Sequence, residues 1–194
     1  MNWPATDRYE LEVSPGGLGF VHDLLNTLSA GKPREKDLLA ELGDAQKWLD
    51  DALERWAEAT ERPAERVELA GDDVERLRDL RDELRDFTDH DAEAGTALLH
   101  SAPVVLQPGA DGWIRPEPRG TGWRRVASIV LIEVLEAQRA DRWRRLKTCR
   151  NKRCAVAFYD RSRNNSGVWH NVQVCGNAVN LRAYRARRRT QQSS

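Results

Sequence analysis

The stretch CRNKRCAVAFYDRSRNNSGVWHNVQVCGNA, residues 149–178, contains all three cysteines of the chain. Four residues separate Cys149 from Cys154, and His170 lies five positions before Cys175, so the four side chains form two closely spaced pairs. Three thiolates and one imidazole are a donor set that tetrahedral zinc accepts. The spacing therefore predicts one zinc ion bound by these four residues.

A disulfide with one spare thiol is the alternative use of three cysteines. An odd number leaves one cysteine without a partner, and residues 1–4 do not begin a signal peptide, so we favour a metal site with reduced cysteines in the cytoplasm. No stretch approaches the roughly 18–20 apolar residues that a membrane span requires. Four protein ligands leave zinc no position for water, so we expect a structural ion and no enzyme.

The residues around these ligands resemble the CGNR zinc-finger family. The segments that carry the resemblance are Leu146-Lys147-x-Cys149-x4-Cys154, Phe158-Tyr159-Asp160-x-Ser162-Arg163-Asn164, Trp169-His170 and Val174-Cys175-Gly176-Asn177. The chain departs from the family pattern at His170, where relatives have Cys, at Ala178, where they have Arg, and at Gly167-Val168, where they often have a basic pair. The resemblance implies a bacterial transcription regulator of the stress-induced kind.

A second resemblance concerns the N-terminal half. The run His22-Asp23-Leu24-Leu25-Asn26-Thr27 resembles the Asp-x-x-Asn-Thr signature of the ABATE domain, which commonly precedes the CGNR finger. Asp23, Asn26 and Thr27 share one face of a helix because they stand at positions i, i+3 and i+4. They form either a site for a small effector or a structural polar network. We favour the network, since buried polar groups are usually satisfied within the protein.

Charge is divided unevenly along a chain whose net charge is zero. Residues 1–118 carry 13 basic and 27 acidic side chains, whereas residues 119–194 carry 18 basic and 4 acidic ones. A basic half that also contains the metal motif favours nucleic acid, and DNA first, as the partner. The alternative is that the acidic half neutralises the basic half, either within one chain or across a homodimer.

Five arginines are the predicted nucleic-acid contacts. Arg182, Arg185 and Arg189 share one face of a C-terminal helix, and Arg161 and Arg163 lie in the loop between the two ligand pairs. We predict a zinc-binding, DNA-binding transcription regulator. An RNA-binding module and an adaptor whose basic finger docks an acidic protein remain alternatives, because phosphate-directed charge does not distinguish among these partners.

Hydrophobic periodicity predicts a mainly α fold with short β-hairpins, in which a helical N-terminal domain precedes a small treble-clef-like zinc finger. The predicted elements before residue 120 are a strand at 9–13, a helix from 18 to near Gly31, a helix from about 34 to an interruption at Gly43, helices at 45–59 (capped by Asp44), 73–89 and 92–100, and a hairpin of 104–107 with 113–115.

Three segments follow from these elements. Residues 1–120 are predicted to form an acidic ABATE-like helical domain with a β-hairpin near 103–117, residues 121–145 a connecting helix, and residues 146–190 a CGNR-type finger. In the finger, a hairpin across Cys149 and Cys154 precedes a basic helix at 178–188, capped by Asn177. Because about 40 residues bury little core, we expect the metal to supply most of the folding free energy of the finger, on the order of 10 kcal/mol or more.

Overall fold

The computed structural model describes residues 2–31, 33–89 and 97–192, except for the side chains of residues 183, 186 and 189–192. Within these ranges the protein is mainly helical with two antiparallel hairpins, which confirms the predicted fold class. The elements are α1 (Leu18–Leu25), α2 (Leu42–Thr60), α3 (Gly71–Thr88), α4 (Ala97–His100), β1 (Val104–Pro108), β2 (Ile114–Pro118), α5 (Gly122–Arg139), β3 (Leu146–Thr148), β4 (Ala157–Tyr159) and α6 (Asn177–Gln192). Short 3-10 turns lie at Asp7–Tyr9 and Trp143–Arg145, and a π-helical turn lies at Val172–Gly176.

The short helix α1 lies at the centre of the structure. All eight of its residues are buried, because α2, α3, α5 and β4 pack around it. Phe20 of α1 contacts Trp48 of α2, with ring centroids 6.1 Å apart. The same apolar core continues through Val130 of α5 to Leu146 and Ala157 in the second hairpin. One core therefore spans the helical part and the start of the metal-binding part.

The carboxylate of Asp23 ties α1 to the N-terminal segment and to α2. It accepts hydrogen bonds from the N–H groups of Ala5 (3.1 Å) and Thr6 (2.7 Å) and from the indole N–H of Trp48 (2.9 Å). Burial raises the pKa of Asp23 to about 6, although these donors act to lower it.

Thr27 connects the end of α1 to α3. Its hydroxyl donates to the carbonyl of Leu24 (2.7 Å) and accepts from the Arg81 guanidinium (3.0 Å), which also pairs with Asp37 (2.8 Å). Arg81 is nearly fully buried, so this ion pair fixes α3 against the segment that follows α1. These are the contacts of a structural network.

Asn26 and His22 join α1 to the second hairpin through a single residue, Ala157. The Asn26 side chain accepts from the Ala157 N–H (2.9 Å) and donates to the Ala157 carbonyl (3.1 Å), as a neighbouring strand would. Ser14 N–H donates to Nδ1 of His22, so Nε2 carries the proton and donates to the same carbonyl at 3.0 Å. The side chains of His22 in α1 and of Asn26, which directly follows α1, thus complete the open edge of β4.

The first hairpin has the predicted position and extends slightly further than predicted. β1 and β2 are antiparallel, with Val104 opposite Pro118 and Pro108 opposite Ile114, and α5 packs against β2. The additional residues include Pro116 and Pro118, which a two-stranded sheet tolerates at positions that need no N–H donor.

Three predictions before α2 were wrong. Residues 11–14 have no regular structure, because no second strand pairs with them in the described part of the chain, and Leu11 instead packs near the cysteines. Helix α1 ends at Leu25, and the helix predicted from residue 34 does not form before Leu42. The intervening segment is used for contacts, since Asp37 both pairs with Arg81 and accepts from Leu39 N–H.

The prediction that Asp44 caps the helix at 45–59 was also wrong. Asp44 lies in the first turn of α2 and pairs with Lys36 at 2.8 Å, while Glu41 occupies the position before the helix. Of the helix predicted at 92–100, residues 92–96 lie outside the described part of the chain, and α4 begins at Ala97.

Replacing Asn26 with alanine tests how strongly α1 supports the second hairpin. The change removes both hydrogen bonds between the Asn26 side chain and Ala157, and it leaves the buried N–H group of Ala157 without a partner. We expect the free energy of unfolding, measured by urea titration, to fall by about 2–4 kcal/mol. Asn164→Ala, at an exposed loop position, should stay within about 0.5 kcal/mol of the wild type. Equal effects of the two changes would contradict the assigned role of Asn26.

The pH dependence of stability provides a test of His22. Burial lowers the pKa of His22 to about 4, so between pH 6.5 and 4 the unfolded chain binds a proton that the native protein excludes. The His22 contribution is therefore fully present above this window and is lost as the pH falls, by about 2 kcal/mol between pH 7.5 and 5.

The comparison with His22→Gln isolates this effect from other groups, including Asp23, whose raised pKa acts in the opposite direction. Urea titrations at several pH values should show the stability difference between the wild type and the variant shrinking by about 2 kcal/mol from pH 7.5 to 5. A difference that stays constant with pH would show that His22 does not exclude the proton.

Candidate metal centre

Cys149 and Cys154 lie on either side of a tight turn at the end of the second hairpin. Cys149 follows β3 directly, and its N–H donates to the carbonyl of Val156 at 2.9 Å. Cys154 N–H donates to the carbonyl of Asn151 at 2.6 Å. Ala155 adopts a φ of 64°, the left-handed conformation that lets the chain reverse here. The turn therefore brings both buried sulfur atoms to one side.

Residues from the helical part of the protein bind the backbone carbonyl groups of this turn. Gly31 N–H donates to the carbonyl of Cys154 at 3.0 Å, and the Arg85 guanidinium of α3 donates to the carbonyl of Ala155 at 2.8 Å. The side chains of the two cysteines are thus presented by a turn whose backbone is fixed by other elements.

The second ligand pair, His170 and Cys175, is arranged by the π-helical turn that leads into α6. Asn171 caps this turn, because its side chain accepts from Val174 N–H (3.0 Å) and its carbonyl accepts from Cys175 N–H (2.9 Å). The predicted cap was wrong: Asn177 is the first residue of α6. The hairpin followed by a basic helix is otherwise the predicted order of elements.

The structure brings the four predicted ligands together. Their donor atoms all lie within 4.8 Å of one another, and Nδ1 of His170 lies 3.3 Å from the sulfur of Cys154 and 3.6 Å from that of Cys175. A tetrahedral zinc ion places sulfur and nitrogen ligands about 3.6 Å apart. The cysteines form no disulfide, so the alternative of a disulfide with a spare thiol does not describe this site.

Residues 145–188 match the family model of the CGNR zinc finger. This segment is a CGNR zinc finger. The match covers all four ligands and confirms the family predicted for them. A search of curated proteins found no significant match to the chain. The ABATE-like character of the N-terminal half stays a prediction.

The chemistry of the donors in the CGNR finger fits zinc. A hydrogen bond with Cys154 lowers the pKa of Cys149, and the same contact raises the pKa of Cys154, while burial raises the pKa of Cys175. Without a metal, removing the protons of all three thiols therefore costs free energy. A bound zinc ion would displace the remaining protons, so zinc affinity should fall as the pH is lowered.

Two residues next to the ligands orient the site. Asn151 is buried and donates from Nδ2 to the sulfur of Cys175 at 3.4 Å, while its Oδ1 accepts from the guanidinium of Arg182 at 2.7 Å. Such contacts fix the direction of a ligand and stabilise the negative charge of the thiolates. Neither residue was predicted as part of the metal site. Arg182 thus links α6 directly to the metal-binding turn.

The loop between the ligand pairs is organised by the ammonium group of Lys147. It donates to the Asp160 carboxylate (2.7 Å) and to the carbonyls of Asn165 (2.8 Å) and Gly167 (3.0 Å). Burial raises the pKa of Asp160, but the hydrogen bonds from Lys147 and the loop outweigh this effect, so the pKa lies below its usual range. A Cβ atom at Gly167 would lie 2.8 Å from the Asp160 carboxylate, so this carboxylate occupies the space of a side chain.

The predicted nucleic-acid contacts have different surroundings in the structure. Arg161 pairs with Glu12 at 2.9 Å and donates to a backbone carbonyl, and Arg182 contacts Asn151 as described. Arg163 and Arg185 are exposed to solvent. The side chain of Arg189 lies outside the described part of the chain. Three of the five predicted contacts, Arg161, Arg163 and Arg185, are therefore exposed, and Arg161 and Arg182 have partners within the protein.

Sequence reasoning missed one exposed pair on α6. The ring of Tyr184 is about half exposed, and the guanidinium of Arg188 lies 5.9 Å from its centroid. An aromatic side chain among exposed arginines offers a stacking surface for a base together with charges for phosphates. The available signal was the aromatic residue four positions before an arginine in a basic helix.

Removing single ligands tests the metal site. The wild type should contain one zinc per chain by atomic spectroscopy, and Cys175→Ser and His170→Ala should each lose it. Since the second hairpin is also held by α1 and α3, hydrogen exchange in the metal-free protein should accelerate in residues 160–192 and change little in α1, α2 and α5. The metal then supplies the folding free energy of the last 30 or so residues rather than of the whole finger.

His100→Ala is the matched control, because His100 lies on α4 outside the cluster, and this variant should keep its zinc. Stoichiometric zinc in His170→Ala would show that another group is the fourth ligand. Loss of protection throughout α1 and α5 on zinc removal would show that the helical part does not hold the hairpin by itself.

Proposed function

We propose that this protein is a cytoplasmic DNA-binding transcription regulator whose CGNR finger contacts phosphates through α6 and the turn around Cys149 and Cys154. The zinc ion has a structural role and the protein is not an enzyme, because four protein ligands fill a tetrahedral site and leave no position for a reacting water. No helix in the described part of the chain has the length and apolar character of a membrane span.

The observation that carries this proposal is the unneutralised positive charge of the finger. Within the described residues, ion pairs between the acidic half and the basic half involve only Arg62 with Glu133, Arg119 with Glu117, Arg125 with Glu65 and Arg161 with Glu12. In the same part of the chain, the exposed basic side chains of the finger that form no ion pair are Arg150, Lys152, Arg153, Arg163, Arg185, Arg187 and Arg188. Folding therefore leaves the charge asymmetry of the sequence in place.

Two surfaces present this charge. Arg185, Arg187 and Arg188 are exposed on α6, whose contacts with other elements are mainly with the π-helical turn. Arg150 and Lys152 line an open depression of about 480 Å³, whose other basic residues, Arg144 and Lys147, pair with Asp141 and Asp160. Clustered cations of this kind attract polyphosphates strongly at low ionic strength.

The metal site determines where α6 begins. Cys175 lies in the turn that enters the helix, and Arg182 returns from the helix to Asn151 beside the same cysteine. The start of α6 is held at Cys175, and its second turn is held at Arg182. The exposed arginines that follow therefore occupy fixed positions relative to the hairpin. A fixed array of charges loses less conformational entropy on binding than a flexible basic tail does.

Duplex DNA binding as a function of salt tests the proposal. Fluorescence anisotropy should show affinity that falls steeply between about 50 and 200 mM salt, with a log–log slope set by the number of phosphate contacts. Removing two phosphate contacts in Arg185→Ala with Arg188→Ala should reduce that slope by about 1.8. The affinity at low salt should fall about tenfold or more, since each contact contributes on the order of 1 kcal/mol.

The matched control is Arg76→Ala with Arg139→Ala, which also removes two exposed arginines but none from the finger. This double variant should keep both the affinity and the slope. Binding that is absent at low salt, or independent of salt, would overturn the proposal. Tighter binding of RNA of the same sequence would identify RNA as the partner, and Arg182→Ala should reduce the zinc content together with binding.

A further inference from the structure

The first hairpin carries a continuous apolar face. Side chains of alternate residues in a strand point to the same side, and directly paired residues share that side. With the observed register, one face of the hairpin consists entirely of apolar residues: Val104, Leu106, Pro108, Ile114, Pro116 and Pro118. Pro118 is buried at the base, whereas Leu106 and Ile114 are 67% and 65% exposed. The outer half of this face therefore extends into solvent.

An apolar groove lies between this face and α5. It has a volume of about 440 Å³, and its walls include Val104, Leu106 and Pro116 from the hairpin, Leu131 and Leu135 from α5, and Leu99 from α4. Leu135 is 45% exposed. The groove and the protruding hairpin face form one surface, which we call the hairpin–α5 surface.

Charges around the hairpin–α5 surface are balanced within the chain. Three ion pairs on the hairpin, on the segment that follows it and at the end of α5 neutralise the nearby ionic groups: Arg115 with Asp111, Arg119 with Glu117, and Arg139 with Glu136. A twofold contact brings the same patch of two subunits together, so a net charge on that patch would oppose association. This surface carries no such charge, in contrast to the basic finger.

We propose that the hairpin–α5 surface is the interface of a symmetric homodimer, in which the apolar hairpin face of each copy lies in the groove of the other. The contact requires no nucleic acid and is independent of the proposed DNA binding. The dimer carries two CGNR fingers, so twice as many phosphate contacts are available to one nucleic acid.

The exposed area favours a second copy over a small ligand. Monomeric proteins usually expose apolar patches of a few hundred Å² at most, and a specific dimer buries about 800 Å² on each partner. Exposed parts of Leu106, Ile114 and Leu135 supply the apolar centre of such a contact. A small molecule in the groove would leave Ile114 in water, whereas a second hairpin covers Ile114 together with Leu106.

Packing of faces fits this hairpin better than extension of its sheet. Pro108, Pro116 and Pro118 have no N–H group, so three of the ten strand positions cannot donate to an added strand. The side chains of Leu106 and Ile114 on the apolar face are exposed and available to a partner. We therefore assign the contact to the faces of the two hairpins and not to their edges.

Multi-angle light scattering without nucleic acid tests the homodimer. The zinc-loaded full-length protein should show twice the 22.1 kDa chain mass at about 50 µM and move toward the monomer mass on dilution. Leu135→Asp and Ile114→Asp should each weaken association about a hundredfold or more, because each places an unpaired carboxylate in the dimer contact. Both residues are exposed in the single chain, so zinc content and thermal unfolding should stay unchanged.

Leu42→Asp is the matched control, since Leu42 is a similarly exposed leucine at the start of α2 and should leave the dimer intact. A wild type that stays monomeric at all concentrations, or a dimer that both aspartate variants preserve, would overturn the proposal. A monomer that binds an apolar fluorophore, with binding lost in Leu135→Asp, would also overturn it and would assign the groove to a small apolar ligand.

Discussion

The pairing of the His22 and Asn26 side chains, in α1 and directly after it, with the backbone of Ala157 is the interaction on which the rest of the structure depends. Asn26 occupies both polar groups of Ala157, and His22 contributes a second donor to the carbonyl. All of these groups are buried, so a missing partner would cost the desolvation of a polar group. The bonds fix β4 against the helices, β4 fixes the turn that carries two ligands, and the metal site fixes α6.

Much of this arrangement was predictable from the sequence because its signals are local. Short spacings identified Cys149, Cys154, His170 and Cys175 as ligands, and apolar periodicity located α3, α5 and the first hairpin. The failures have a common cause in contacts between distant residues. A strand at residues 9–13 needs a partner strand, and the helix expected from residue 34 gives way to a segment whose Asp37 pairs with Arg81, 44 positions away.

The arginines of the finger also show that contacts between distant residues limit what the sequence predicts. Arg182 and Arg185 are equivalent in sequence, since both stand on the same side of a basic helix. In the structure Arg182 supports a thiolate ligand through Asn151, whereas Arg185 is exposed. Whether a basic side chain serves the protein or a partner depends on which acceptor lies within reach, and folding decides this. A helical projection alone therefore assigned both residues to the same role.

Because residues outside the finger complete the edge of β4, the finger is not an independent structural module. The matched finger, residues 145–188, contains neither Asn26 nor His22, nor the Gly31 and Arg85 donors that hold its first turn. A zinc finger built in this way is not freely transferable to another chain, because it would arrive with an open strand and unpaired carbonyls. The unit that recombination can move between proteins is the finger together with the helical part that supplies these donors, so the two are expected to be inherited as a pair.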